Sequence, residues 1–282
     1  MVKTPSHEPR GCATQRLKPE PRGCATQRLQ DEPHRRIERR GETVWRPLHP
    51  WSPAVHDLLR YLESVDFPAP RLLDVVDGFE VVSFIAGDSG SDGWAPLVPE
   101  SGLRAFARLL RDYHVAVAGF TTDKPFYTGT PPAGTEVVCH GDFGPWNTVF
   151  RNGEPVGLID FDYAKPASAW FDIAYALQYV TPFRDDEDAI RWLRYPEPPD
   201  RLRRMETFIE AYGVDAINGP TDLASLTKSV IDVQYDILAS DARLAAEGLE
   251  PQATWVANGH LEKQHSRIAW SEAFAAERGL TR

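Results

Sequence analysis

A chain of 282 residues can bury one or two sizeable cores, and 42% hydrophobic with 26% charged residues is the make-up of a soluble globular protein. No apolar run approaches a membrane span, no secretory core opens the chain, and three cysteines (Cys12, Cys24, Cys139) give no disulfide framework, so a cytoplasmic location is expected. Residues 1–46 carry 11 Lys/Arg and 6 Asp/Glu, the other 236 carry 20 and 35, so a basic start of net +5 precedes a body of net −15 that argues against nucleic acid and suits a cationic small molecule.

Residues 8–17 and 20–29 both read EPRGCATQRL, a repeat at a spacing of 12 with few groups that could build a core. Two copies are too few for a solenoid, and residues 1–40 are expected to be a disordered tail. Cys12 and Cys24 lack a clustered second pair and make a weak metal site. The run Arg35-Arg36-Ile37-Glu38-Arg39-Arg40 reads as solvated, with nucleic acid or lipid headgroups as the alternative partner.

Residues 41–46 predict a short strand after a turn. Ser52 as N-cap and Pro53 at the first helical position then open a helix with Val55, Leu58, Leu59 and Leu62 on its apolar face. The runs 72–76 and 79–85 flank Asp77-Gly78 and predict an antiparallel hairpin. A glycine-rich connector at 87–93 leads to a helix over 99–114, where Leu103, Phe106, Leu109, Leu110 and Tyr113 recur at helical spacing and His114 reads as structural. Residues 119–135 read as a loop in which Lys124, Phe126 and Tyr127 either overhang a pocket or pack on the surface.

The stretch 137–162 carries the chemistry. The runs from Val137 and from Val156 each deliver an Asp, Asp142 and Asp160, with Asn147 between them and Asn152-Gly153 as a reversal. A hairpin there gathers Asp142, Asn147 and Asp160 on one rim. One carboxylate can accept a hydroxyl proton; a second, with an amide oxygen, offers hard ligands for Mg²⁺. Taken singly, the three also read as turn and cap residues.

The order His140-Gly141-Asp142-x-x-x-x-Asn147, then Ile159-Asp160-Phe161-Asp162, resembles the aminoglycoside phosphotransferase and choline kinase-like family of small-molecule kinases. The resemblance runs loosely from Gly41 to beyond Asp172. It implies an α+β, protein-kinase-like bilobal fold, with a truncated nucleotide-binding lobe and hinge at 41–88 and a mostly helical catalytic and acceptor-binding lobe at 89–282. It implies that Asp142 orients or deprotonates the acceptor hydroxyl, that Asn147 and Asp160 bind Mg²⁺ on the nucleotide phosphates, and that His140 is structural.

Arg46 is the candidate phosphate contact, with Glu63 or Asp57 as its partner from the helix. The hinge backbone at Phe84, Ile85 and Ala86 would meet the base, which makes ATP the expected nucleotide and leaves GTP open. Asp172 would support the catalytic loop from inside the large lobe, or be a helix-start acid favoured by the dipole. Asp162 would cap the next turn, support the metal site through water, or ligate directly. Phe143 and Trp146 buttress the loop, and Trp146 alternatively faces substrate.

The chain departs from the family before Gly41, where no G-x-G-x-x-G and no paired strands are visible. The tail would then act as an irregular lid, or phosphate binding would rest on Mg²⁺ and Arg46, or the chain is a degraded kinase. The expected function is Mg-dependent transfer of the ATP γ-phosphoryl group to a hydroxyl of a small acceptor; the alternative is a nucleotide-binding pseudokinase or immunity-like protein.

Further helices are predicted near 170–177, 185–194, 200–212, 221–246 and 252–277, the last interrupted at Gly259. Asp232, Asp236 and Asp241 recur near one face and either receive an amine-bearing acceptor or form a wetted face; Asp232 and Asp236 are the substrate-binding candidates. His260 and His265 lie five apart and do not share a face for a metal. Trp255 and Trp270 read as helix packing or pocket walls.

Overall fold

The computed structural model describes residues 26–32, 35–127, 137–213 and 222–281. They form a sheet-rich amino lobe and a mostly helical carboxy lobe. The small-lobe sheet comprises β1 (Thr26–Glu32), β2 (Arg35–Arg40), β3 (Thr43–Pro47), β4 (Leu72–Val76) and β5 (Phe79–Ser83), in the order β1-β2-β3-β5-β4 and antiparallel throughout.

The first two strands correct the expectation of an unpaired tail to residue 40 and of a lobe truncated at Gly41. They form a hairpin, and β2 pairs with β3, Glu38 opposite Trp45 and Arg40 opposite Thr43. The basic run makes a strand because its charges are neutralised along one face at the two-residue period. Glu38 lies buried, 2.6 Å from Arg36 and 2.8 Å from Arg40. On the other face Ile37 is buried, and Arg39 stacks over Phe84, 3.6 Å from the ring centre. The first copy of the repeat with Cys12, and the start of the second with Cys24, lie outside the described residues. The last four residues of the second copy, 26–29, belong to β1.

α1 (Ser52–Ser64) buries Val55, Leu58, Leu59 and Leu62 as its spacing predicts. Ser52 is not the cap: Trp51 holds that position, and the Ser52 hydroxyl accepts the His49 N–H at 2.9 Å. Asp77 and Gly78, both at positive φ, make the β4–β5 turn. α1 is tied to the segment after α2 (Glu100–Val117), because Lys124 Nζ lies 2.7 Å from Asp57 and the Thr122 hydroxyl donates to it at 3.0 Å.

The catalytic stretch forms two short ribbons rather than one hairpin. β6 (Val137–Cys139) pairs with β9 (Lys165–Ala167), and β7 (Thr148–Arg151) with β8 (Glu154–Leu158). Around them lie α3 (Ala169–Val180), α4 (Asp186–Leu193), α5 (Arg201–Tyr212), α6 (Leu223–Ala246), α7 (Gln252–Ala257) and α8 (His260–Glu277), with Gly259 at φ 78° between the last two. One apolar core runs through both lobes, joining Leu58, Leu62 and Val82 to Leu110, Tyr113 and Phe161. Among the described residues no helix is long and apolar enough to cross a membrane.

Candidate active site

The floor of the site is Asp172, fully buried in the first turn of α3. Its carboxylate accepts the His140 N–H at 2.7 Å and the Gly141 N–H at 2.9 Å, and meets His114 Nε2 at 3.2 Å. Burial pushes its pKa up, but the His114 hydrogen bond, the two imidazoles and the Gly141 amide outweigh burial and hold it below the ordinary Asp value. Internal support of the loop is therefore the arrangement present. The His140 ring donates from Nε2 to the Ile159 carbonyl at 3.0 Å and accepts the Asp142 N–H on Nδ1 at 3.3 Å, so one tautomer serves both contacts. Gly141 is obligatory here: φ is 82°, and a Cβ would collide with the Tyr163 carbonyl. His114, Cys139 and Asp172 lie close enough for a metal, yet each is already hydrogen-bonded, His114 Nδ1 to Tyr212 and Cys139 Sγ to the Ser168 carbonyl.

Asp142 follows this floor and lines a cavity. Tyr175 donates its hydroxyl to Oδ1; Trp146 Nε1 and Asn147 Nδ2 donate to Oδ2 at 3.1 and 2.7 Å. Burial nevertheless raises the Asp142 pKa, with Asp160 adding to the rise and the Tyr175 and Trp146 bonds opposing it. Asn147 also donates to the Asp142 carbonyl at 3.0 Å, and its Oδ1 meets no donor among the described residues. Ile159 N–H bonds the Asn147 carbonyl at 2.9 Å, which draws the end of β8 to the loop and puts Asp160 on the same rim. Asp160 sits at φ 67° and ψ 68°, a left-handed conformation that costs a non-glycine residue about 1 kcal/mol.

Arg46 reaches this rim from β3, its side chain only 12% exposed. It lies 3.0 Å from Glu80 and 3.5 Å from Asp160, and it donates to Asp162. Burial disfavours its charge, but Asp162, Asp160 and Glu80 together overcome that and hold it protonated. The helix partner expected for Arg46 is corrected. Asp57 is spent on Lys124, and Glu80, directly opposite Arg46 in the β3–β5 register, takes its place. His56 of α1 completes the chain by bonding Glu80 at 2.7 Å. Asp162 receives Arg46 on Oδ1, which ties it to the small lobe.

At the hinge, the Phe84 N–H is used by the Glu42 carbonyl and the Ala86 carbonyl by Arg151 at 2.8 Å. The Ile85 backbone groups and the Ala86 N–H make no hydrogen bond among the described residues, so they remain available to a base. Asn147 Oδ1 and the Asp160 carboxylate are hard oxygen donors of the kind Mg²⁺ takes, and the donor set fits that ion. Arg46 is its competitor for Asp160.

The cavity beside Asp142 has a volume of about 330 Å³ and lies among α3, α6, α7 and α8. Trp146 and Asp236 line it, as does Tyr127. Asp232 does not: it is exposed and paired with Lys228 at 2.6 Å, four residues back on the same helix, so its substrate assignment is corrected. Asp241, buried, bonds His260 at 3.1 Å and Gln264 at 2.7 Å. Three buried amide atoms on this lining, Gln178 Nε2, Gln234 Oε1 and Gln264 Oε1, have no hydrogen-bond partner among the described residues, so the wall offers both a donor and acceptors.

Sequence reasoning missed Tyr175, Glu80 and Lys165. Tyr175 was within reach, lying three residues after Asp172 on one helix face. Glu80 follows once the hairpin register is drawn. Lys165, placed over the Phe171 ring at 3.3 Å, carries no sequence signal.

A family model described as the phosphotransferase enzyme family matches residues 127–207. The trifolitoxin immunity protein of Rhizobium leguminosarum bv. trifolii is 33% identical over 188 residues, spanning 63% of this chain and 70% of that protein. Among solved structures, Plasmodium vivax ethanolamine kinase has a TM-score of 0.58 at 11% identity, covering 91% of this chain and 84% of its own. The ADP-bound aminoglycoside phosphotransferase APH(2'')-Ib has a TM-score of 0.56 at 13% identity, covering 89% and 95%. At those identities the structures show a shared fold.

Proposed function

Because this chain belongs to the family of the trifolitoxin immunity protein, on an aminoglycoside-phosphotransferase and choline-kinase-like fold, we propose that it is an immunity-type protein: a nucleotide-binding kinase fold that captures a toxic small molecule beside Asp142 with little phosphoryl transfer. The observation that carries this reading is the Arg46 cluster. Its guanidinium lies 3.5 Å from Asp160 and donates to Asp162, so a nucleotide-bound cation would have to compete with a permanently charged group for Asp160. Mg²⁺, when bound, would compensate phosphate charge, with Asn147 and Asp160 holding it. Ile85 and Ala86 would receive the base of ATP or GTP through their backbone. The cavity would hold the small molecule by aromatic walls and by the unpartnered amides of Gln178, Gln234 and Gln264.

A second reading, Mg-dependent phosphotransfer to a hydroxyl, is favoured by one observation: Asp142 faces the cavity with a raised pKa, as a base for an acceptor proton requires. Calorimetric titration with ATP and GTP, with and without Mg²⁺, followed by ADP release over a panel of hydroxylated amines and sugars, separates the two. Capture predicts nucleotide binding with ADP release near the acceptor-free background, unchanged in Asp142→Asn. Acceptor-dependent release that Asp142→Asn abolishes would replace capture with phosphotransfer.

A further inference from the structure

Behind the cavity lies a second cleft of about 850 Å³, between the start of α4 and the exposed side of α8. Arg267 of α8 lines both spaces, so they share a wall. In a chain of net charge −10 this cleft is basic: Arg184, Arg191, Arg194, Lys263 and Arg267 face it against Asp185 and Asp188.

Arg184, in the α3–α4 connection, is the unusual member. It is 7% exposed, its Nε meets no acceptor, and its guanidinium has no carboxylate within ion-pair distance among the described residues. Its guanidinium lies 5.6 Å from the ring centre of Tyr179, which also lines the cavity. Burying an unpaired charge is costly, and native chains pair such groups or keep them for a ligand. The surroundings add to the cost. Burial lowers the Arg184 pKa, Arg267 lowers it further, and the attraction of Tyr179, Asp188 and Asp185 does not restore it. Asp185 is engaged as the α4 cap, accepting the Asp188 N–H at 2.8 Å. Arginines nearby in this lobe are satisfied: buried Arg201 pairs with Asp186 at 2.8 Å, and half-buried Arg204 donates to three carbonyls.

We infer that Arg184 and Arg267 form an oxyanion-binding pair in this second cleft, on the wall that Arg267 shares with the cavity, taking a carboxylate or phosphate. This goes beyond the capture reading: the cleft is an anion site that adjoins the cavity, whatever the cavity itself holds beside Asp142. Guanidinium groups suit both oxyanions through paired N–H donors.

The test uses the full chain without nucleotide, so its failure leaves the reading of the nucleotide side untouched, and the reverse. Inorganic phosphate and acetate are titrated separately at ionic strength held with NaCl, and the melting temperature and tryptophan fluorescence are followed, since Trp94, Trp192 and Trp270 line the cleft. Wild type is expected to respond saturably to at least one anion, and the stronger of the two identifies the acidic group. Arg267→Gln should weaken the response about tenfold or more. Arg184→Met should abolish it while the ligand-free protein melts no lower than wild type, because a buried unpaired charge is gone. Equal anion responses in wild type and Arg267→Gln, or a wild type that responds no more than to NaCl, would overturn the proposal.

Discussion

Asp172 converts folding energy into loop geometry. Its carboxylate holds two successive amides of the His140–Asp142 loop, and Asp172→Asn removes a charge-assisted acceptor from a dry site, a loss of about 3 kcal/mol by chemical denaturation at pH 7. Its pKa is depressed in the folded protein, so its contribution is complete above the ordinary Asp value of about 3.9 and fades as pH falls through that range. The stability gap between wild type and Asp172→Asn should therefore narrow in acid. Asp142 has the opposite sign. Burial raises its pKa and the Tyr175 hydroxyl restrains the rise, so Tyr175→Phe should move its titration to still higher pH, read from carboxyl-carbon NMR. Arg46→Gln strands Glu80 with only His56 and should cost about 3–5 kcal/mol; Arg46→Lys should recover little, since a compact ammonium cannot reach three carboxylates as a planar fork does. These roles were legible to different depths. His140, Asp142, Asn147 and Asp160 sit within one local stretch whose spacing carries their meaning. The Arg46 partners come from β5 and from the turn after β8, and no spacing along the chain reports a contact across 116 residues.

Among the elements, α2 and the β1–β2 hairpin stand at two extremes of legibility. α2 showed its apolar stripe at helical period, and the structure spends that stripe under the site: Phe106 packs on Phe143 at 4.6 Å between ring centres, just after Asp142. Phe106→Ala should destabilise the fold by about 3–5 kcal/mol in denaturant titration. The β1–β2 hairpin was invisible because TQRLQDE and RRIERR have no apolar alternation to announce strands. Their pairing rests on backbone hydrogen bonds, on Glu38 between two arginines and on Ile37, all of which need β3 already in place. The α3–α4 connection was missed for a related reason: that Arg184 would be buried without a carboxylate depends on how α8 lies against it.

At the scale of the molecule, the two lobes share apolar contacts rather than merely touching. Phe67 of the small lobe meets Tyr113 of the large one at 5.5 Å, within a core that continues from Leu58 to Phe161. Calorimetry should therefore show one cooperative transition, and an anion added without nucleotide should move all of it. The Asp57–Lys124–Thr122 tether fastens the same two lobes at a second point outside that core. A sheet pinned twice cannot swing wide without wetting its own underside. Access to any site between lobes fastened this way falls to side-chain movement rather than to a wide rotation of the sheet.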